Sequence, residues 1–181
     1  MKLSLKKINA VSNERQWSDF NDISEVIEKA KNGDSDAELL IAYHYFYDKD
    51  DNYDLVYNIV SKDKFKDDIY AQRLLAILYL DGKGVEKSES KAIEILLRPE
   101  IKDFPSIKKV LSYIYLYELS EKKDYKKGFL LALESVKEGY IESYYDLGWC
   151  YFYGNGVPRS YKNALDCFTK CLNEIDYISD S

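Results

Sequence analysis

Proline, glycine, histidine and cysteine are all scarce in this sequence, and each scarcity excludes a class of protein. Three prolines and eight glycines in 181 residues are too few for an architecture of short strands and tight turns. Three cysteines form an odd set, which fits reduced thiols better than a disulfide framework. A single histidine leaves few of the catalytic arrangements that use this residue as a general base.

Long apolar segments are missing as well. No window approaches the roughly 18 consecutive apolar residues of a membrane span, and the opening MKLSLKKINAVSNERQW lacks the apolar run of a secretion signal. We therefore expect a cytoplasmic protein that does not bind membranes. A net charge of −6 disfavours nucleic acid as a partner. With 46% hydrophobic residues, the chain should fold as one domain or as a short array of repeats.

Two stretches of the sequence carry identical residues at six matching positions. They are YLDGKGVEKSESKA at residues 79–92 and YFYGNGVPRSYKNA at residues 151–164. Half of the distance between them predicts a unit of 36 residues, and Leu111 and Tyr115 indeed take the places of Leu75 and Tyr79 in an intermediate copy. A first copy lies ahead of these with slightly shorter loops. The four units therefore start at residues 37, 71, 107 and 143.

Each unit is predicted to consist of two antiparallel helices. The first half carries small or apolar residues at i, i+4 and i+8, which lie on one helix face. A Gly-x-Gly-Val turn follows in the second and fourth units, where glycine can take the left-handed conformation that ends a helix. Ser88, Asp124 and Ser160 are natural N-caps for second helices. We interpret the turn glycines as structural; they are Gly82, Gly84, Gly154 and Gly156.

The predicted organisation is one all-α domain over residues 19–175. Residues 23–42 look like the second helix of a preceding half-unit joined to the first unit, so we expect about nine helices, one leading helix and four pairs. Residues 1–18 are expected to be a flexible segment or cap, and residues 176–181 a tail. The second helices are expected over residues 53–63, 89–98, 125–138 and 161–173.

The repeated string resembles a known repeat family. Its residues are Ala71, Leu75, Tyr79, Gly82, Gly84, Val85, Lys91 and Ala92 in the second unit, and Ser143, Leu147, Gly148, Tyr151, Gly154, Gly156, Val157 and Ala164 in the fourth. This pattern is similar to the Sel-one-like repeat, a relative of the tetratricopeptide repeat. The first and third units depart from it, with Asp48, Asp50, Glu118 and Ser120 at the glycine positions. The resemblance implies a right-handed α-solenoid that binds proteins, and it implies no enzyme.

A row of aromatic residues is the best candidate for a partner site. If the first helices pack as in the related tetratricopeptide fold, positions i+2, i+6, i+9 and i+10 of each unit face a concave groove. Tyrosine and tryptophan dominate binding hot spots, although the same rings could equally serve as packing between neighbouring units. The predicted groove residues are Tyr43, Tyr47, Arg73, Ile77, Asp81, Lys109, Tyr113, Tyr117, Tyr145, Trp149 and Tyr153.

Three weaker patterns are better explained by structure than by chemistry. His44 stands where the other units have leucine, isoleucine and cysteine, which indicates a packed helix-face residue. The acidic segment 48–54 lacks the glycine and the bidentate glutamate of a calcium loop, and we reject that interpretation. Cys150, Cys167 and Cys171 have no evident fourth partner for a thiol metal site and fit a helical core. No cofactor or metal is predicted.

These features favour an interaction module that holds a peptide or protein along an aromatic groove. A second hypothesis is a bacterial cytoplasmic immunity protein, an acidic solenoid that occludes a competitor's toxin and associates through complementary charge. A third is an enzyme that uses the groove as a substrate cleft. That function would need a cluster of titratable groups with perturbed pKa values, and the scattered acidic residues of the sequence disfavour it.

Overall fold

The computed structural model describes residues 23–47, 51–117 and 123–180, and every regular element in these ranges is helical. This part of the chain confirms the all-α class, with one leading helix and four pairs. A short 3₁₀ turn lies at Asp63–Phe65. The α-helices are α1 (Ile23–Lys31), α2 (Ser35–Tyr47), α3 (Tyr53–Val60), α4 (Ile69–Asp81), α5 (Glu89–Leu96), α6 (Pro105–Leu116), α7 (Tyr125–Lys137), α8 (Ser143–Tyr153) and α9 (Tyr161–Asp180).

Two second helices end three or more residues from the expected position, and the other two end within two residues of it. α3 stops at Val60 because the chain turns through the 3₁₀ segment, which buries the Phe65 side chain to 2% exposure. α9 continues to Asp180 instead of ending at residue 173. Among the described helices, none is both long enough and apolar enough to cross a bilayer. The predicted cap, residues 1–18, lies outside the described residues.

The chain divides into two compact units, Met1–Ser88 and Glu89–Ser181. From here on, a unit is one of these two parts, and the four 36-residue copies are called repeats. In the first unit, consecutive helices from α1 to α4 pack against each other. In the second unit, α5 to α9 do the same, and α6 also contacts α8. The first core contains Val26, Leu39, Leu40, Val56, Phe65, Leu74 and Leu78, and the second contains Leu116, Phe129, Ala132, Leu147, Cys150 and Cys167.

One backbone hydrogen bond recurs with the 36-residue period. In each case an amide immediately before a second helix donates to a carbonyl in the last turn of the preceding first helix. This bond fixes the turn between the two helices of a repeat, and it confirms the register of the repeats. The donor and acceptor residues are Ser88 and Tyr79 (2.8 Å), Asp124 and Tyr115 (3.1 Å), and Ser160 and Tyr151 (2.9 Å).

Two of the expected N-caps also bind through their side chains. The Asp124 carboxylate accepts a hydrogen bond from the Lys127 amide at 3.0 Å. The Ser160 hydroxyl accepts one from the Asn163 amide at 3.3 Å. Both bonds satisfy amides of the first helical turn that have no partner within the helix.

The glycines of the two turns take the left-handed conformation, with φ of 70° and 65° at Gly82 and Gly84 and of 79° and 74° at Gly154 and Gly156. The second glycine of each turn is also closely packed. A Cβ at Gly84 would lie 2.5 Å from the carbonyl of Tyr53, the first residue of α3, and a Cβ at Gly156 would overlap the carbonyl of Tyr125, the first residue of α7. Each turn thus packs against the start of the preceding repeat's second helix, where only glycine fits.

Candidate binding groove

Six of the predicted site residues line one groove of about 510 Å³ in the second unit. They come in four-residue steps from the first helices of the third and fourth repeats, α6 and α8. Lys109 and Tyr113 lie on one face of α6, and Tyr117 is the C-cap residue that follows it with an extended backbone. The residues from α8 lie on one face of that helix. A seventh lining residue, Asp146, was not predicted. We call this the aromatic groove; its lining residues are Lys109, Tyr113, Tyr117, Tyr145, Asp146, Trp149 and Tyr153.

The rings of the aromatic groove form two ladders. At the end of α6, the ring centroids of Tyr113 and of the C-cap residue Tyr117 are 4.7 Å apart, and this pair is the α6 ladder. On α8, the Trp149 ring meets Tyr145 edge-on at 6.0 Å and stacks on Tyr153 at 5.5 Å. Tyr145 and Tyr153 remain 50% and 62% exposed. A contiguous row of exposed rings is a common mark of an interaction surface.

Phe168 of α9 supports the α8 ladder from behind. Its ring lies 5.3 Å from Trp149 and 6.1 Å from Tyr145. Gly148 leaves the space for it, because a Cβ at that position would overlap the Phe168 ring. The ladder is therefore held in place by packing within the unit.

Asp146 places a carboxylate within the aromatic groove. Its side chain is almost inaccessible, with the residue 1% exposed. The Tyr117 hydroxyl donates to Oδ1 at 3.2 Å, and the Lys109 ammonium lies 3.9 Å from Oδ2. Oδ2 accepts no hydrogen bond from any residue that the structure describes. Burial raises the pKa of Asp146, and it outweighs the opposing influences of Lys109 and of the Tyr117 hydrogen bond.

The repeat register contained a signal for Asp146. It occupies position i+3 of its repeat, where the other three repeats have Leu40, Leu74 and Val110, which are 0%, 0% and 6% exposed. A carboxylate is unfavourable at a position where its counterparts pack as apolar core. Packing alone therefore gives no reason for an aspartate here.

The groups around Asp146 have raised pKa values because they are themselves buried, and the charge of Asp146 adds to this effect at Tyr117 and Cys150. Burial, and then the negative charge of Asp146, raises the pKa of Tyr117. Burial and the same charge raise the pKa of Cys150 to about 12, so this thiol is protonated at neutral pH and is a poor nucleophile. Burial also raises the pKa values of Cys167 and Cys171. Within the described ranges, no group of three or more His, Cys, Asp or Glu side chains is placed to hold a metal ion.

Two predicted groove residues of the first unit are buried. Tyr43 is 0% exposed and Arg73 is 4% exposed, and the Arg73 guanidinium donates to the Tyr43 hydroxyl at 3.1 Å. The Tyr43 hydroxyl also lies 3.4 Å from the Tyr70 carbonyl, which it can reach as a donor. These contacts join α2 to α4, so neither side chain is available to a partner. The expected exposure of Tyr43 and Arg73 was wrong.

The other predicted residues of the first unit are Tyr47, Ile77 and Asp81. Tyr47 is 52% exposed, and its ring lies 6.3 Å from that of Tyr43. Ile77 is half-buried, and Asp81 is exposed and pairs with Lys83 at 3.1 Å. His44 is partly buried, with its ring 5.2 Å from that of the adjacent Tyr45.

Replacing Asp146 by asparagine should change how stability depends on pH. In the folded protein the Asp146 carboxyl keeps its proton to a higher pH than in the unfolded chain, where its pKa has the ordinary value of 3.8. The folded state therefore holds more protons in this window, and wild-type stability falls as pH rises from 3.8 through the raised native pKa. For each unit by which the native pKa exceeds 3.8, the free energy of unfolding should fall by about 1.4 kcal/mol across this window. Asparagine does not titrate, so the variant should lack this fall.

The measurement is urea unfolding of wild type and Asp146→Asn at pH values below and above this window. The free energy of unfolding of the variant, relative to wild type, should increase with pH. A difference that stays constant with pH would show that Asp146 ionises as it does in the unfolded chain.

The paired helices, their recurring turn and the aromatic groove define an all-helical repeat protein. A model of the Sel1 repeat matches residues 69–98, 110–140 and 141–170, which together make up half of the chain. The chain belongs to the Sel1 repeat family. The first helix pair, α2 and α3, lies outside the three matched segments.

Solved structures of Sel1 repeat proteins share this fold. A Sel1 repeat protein from Oxalobacter formigenes is 19% identical with a TM-score of 0.62, and the match covers 76% of this chain and 54% of that protein. The protein c5321, a protective antigen present in uropathogenic Escherichia coli strains, is 20% identical with a TM-score of 0.63 over 86% of this chain and 34% of its own. The chain thus spans about half of the first protein and a third of the second.

Proposed function

We propose that this protein is an interaction module that binds a peptide or protein segment in the aromatic groove. The observation that carries the proposal is the pair of ring ladders on α6 and α8, which stay partly exposed and share one groove with a buried carboxylate. Members of the Sel1 repeat family generally mediate protein–protein interactions, which supports this choice of ligand.

The composition of the aromatic groove suits a binding hot spot. Tyrosine and tryptophan offer large contact areas and lose little rotamer entropy on binding, because each side chain has two main torsions. The α8 ladder is already ordered by the stacking of Trp149 on Tyr153 and by Phe168 behind it. A partner that covers Tyr145 and Tyr153 would remove apolar ring surface from water, which is favourable.

The experiment uses peptides selected from a phage-displayed random library on the immobilised protein. Isothermal titration calorimetry then compares their binding to wild type, Tyr145→Ala and Trp149→Ala. Each groove variant should weaken binding by about 1–3 kcal/mol, because truncating a central aromatic residue at an interface has effects of this size. Urea unfolding of the same variants separates lost binding from lost folding.

Tyr161→Ala is the matched control. Tyr161 is 59% exposed in the same unit but does not line the aromatic groove. Its truncation should leave peptide affinity within about twofold of wild type, as expected for residues outside a hot spot. Peptides that bind folded Tyr145→Ala and Trp149→Ala as tightly as wild type would contradict the proposal.

A further inference from the structure

The buried carboxylate of Asp146 lacks a hydrogen-bond donor on one side. Oδ1 has the Tyr117 hydroxyl, whereas Oδ2 has no donor among the described residues and is shielded from water. A buried acceptor without a partner is unfavourable. Because Asp146 lines the groove itself, a ligand group that brings an N–H into the groove can supply the missing bond.

The surroundings of Oδ2 favour a cation over a neutral donor. Aromatic faces attract cations, and the aromatic groove has two ladders of them. The ammonium of Lys109 is already in this position, 5.7 Å from the centroid of the Tyr113 ring and 3.9 Å from Oδ2. That second distance is too long for a hydrogen bond, so Lys109 supplies charge to Asp146 without satisfying its oxygen.

A guanidinium group matches these features better than an ammonium group. It is planar, so it stacks against aromatic rings, and its donors form a rigid fork that suits a carboxylate. It is also more weakly hydrated than an ammonium, which lowers the cost of entering an enclosed site. The chain's net charge of −6 further favours a basic partner segment.

We propose that the partner inserts an arginine side chain into the aromatic groove, where its guanidinium displaces the Lys109 ammonium, lies against the rings and donates to Oδ2 of Asp146. The inference rests on the proposed function and names the chemistry of the partner: a peptide segment with an accessible arginine. Asp146 sets this preference, and the ring ladders supply the contact area.

The test is an NMR titration of the ¹⁵N-labelled full chain with two small probes. Nα-acetyl-arginine N-methylamide carries the guanidinium, and Nα-acetyl-citrulline N-methylamide replaces it with an uncharged urea of nearly the same shape. The reporter is the indole N–H signal of Trp149, assigned by its absence from Trp149→Phe. The arginine probe should shift this signal saturably, and the citrulline probe should bind at least tenfold more weakly.

Two variants test the roles of the charged residues. Asp146→Asn keeps the side-chain shape and should reduce the affinity for the arginine probe at least tenfold, to the level of citrulline. Lys109→Met removes the competing ammonium and should strengthen arginine binding severalfold. The thermal midpoint of each variant verifies folding, and the comparison of the two probes on wild type needs no variant.

Three results would overturn the inference. They are equal affinities for the two probes, arginine binding that is unchanged in folded Asp146→Asn, and no saturable shift at about 50 mM arginine probe, where a complex of 10 mM Kd would be mostly formed. Library peptides that lose affinity for Tyr145→Ala but bind Asp146→Asn as well as wild type would overturn the arginine inference alone. Peptides indifferent to Tyr145→Ala and Trp149→Ala would instead overturn the proposed function.

Discussion

Replacing Gly156 by valine should lower the free energy of unfolding by about 2–5 kcal/mol, the sum of two unfavourable effects. Gly156 has a φ of 74°, where a β-branched residue is strained by about 1–2 kcal/mol. Its Cβ would also overlap the carbonyl of Tyr125, and a backbone atom cannot move aside as a side-chain end can. Relief would require the start of α7 to shift away from the turn that packs on it. Gly84 meets the backbone of Tyr53 in the same way, so Gly84→Val should have a similar effect.

Gly139→Val is the control that separates the two effects. Gly139 also has a positive φ, 93°, but a Cβ there would meet nothing within 4 Å. Gly139→Val should therefore lower the free energy of unfolding only through backbone strain, by about 1–2 kcal/mol. Urea unfolding followed by far-UV circular dichroism measures all three variants. Equal losses at Gly139 and Gly156 would mean that the close packing of turn on helix adds nothing to stability.

The fold could be predicted from the sequence because the same pattern occurs in several copies, and each copy checks the interpretation of the others. Each copy must form the same two helices and the same turn, so a residue type that recurs at one offset reports a shared structural requirement. The glycine turns and the caps at Asp124 and Ser160 were predictable in this way. Their chemistry is local, since a left-handed turn favours glycine and free amides favour an acceptor.

Exposure was harder to predict, because it depends on what the neighbouring repeat presents. Position i+2 of one repeat lies near i+6 of the preceding repeat in the first unit, where Arg73 reaches Tyr43 and both become core. The corresponding residues of the second unit are Tyr145 and Tyr113, and both stay partly exposed in the aromatic groove. Periodicity identifies the face of a helix, but it does not show how deeply that face is covered.

Asp146 shows a second limit of pattern reading. Its position, i+3, belongs neither to the apolar face predicted at i, i+4 and i+8 nor to the predicted groove positions, so the pattern made no prediction for it. At i+3 the fourth repeat has an aspartate, whereas the other three repeats have two leucines and a valine that are buried. A charged residue in an otherwise apolar column of a repeat is a specific signal, because burial of the charge has to be compensated.

Tyr43→Ala should lower the free energy of unfolding by about 3–5 kcal/mol, as for other buried aromatic residues. The substitution would leave a cavity at a fully buried site and remove the hydroxyl that accepts a bond from Arg73. Burial raises the pKa of Tyr43 to about 12, so the wild-type hydroxyl is neutral at working pH. Tyr43→Phe keeps the ring and should lose only about 1–3 kcal/mol, for the bond alone.

Tyr113→Ala is the matched comparison, because Tyr113 occupies the same position of the third repeat but is 37% exposed. Its stability should stay within about 1 kcal/mol of wild type, while its peptide binding falls. Urea unfolding and calorimetry on the same samples measure both quantities. Tyr43 would thereby be assigned to the core and Tyr113 to the groove, although the repeat pattern treats them alike. A loss of stability as large for Tyr113→Ala as for Tyr43→Ala would place Tyr113 in the core, and it would remove the α6 ladder from the proposed binding surface.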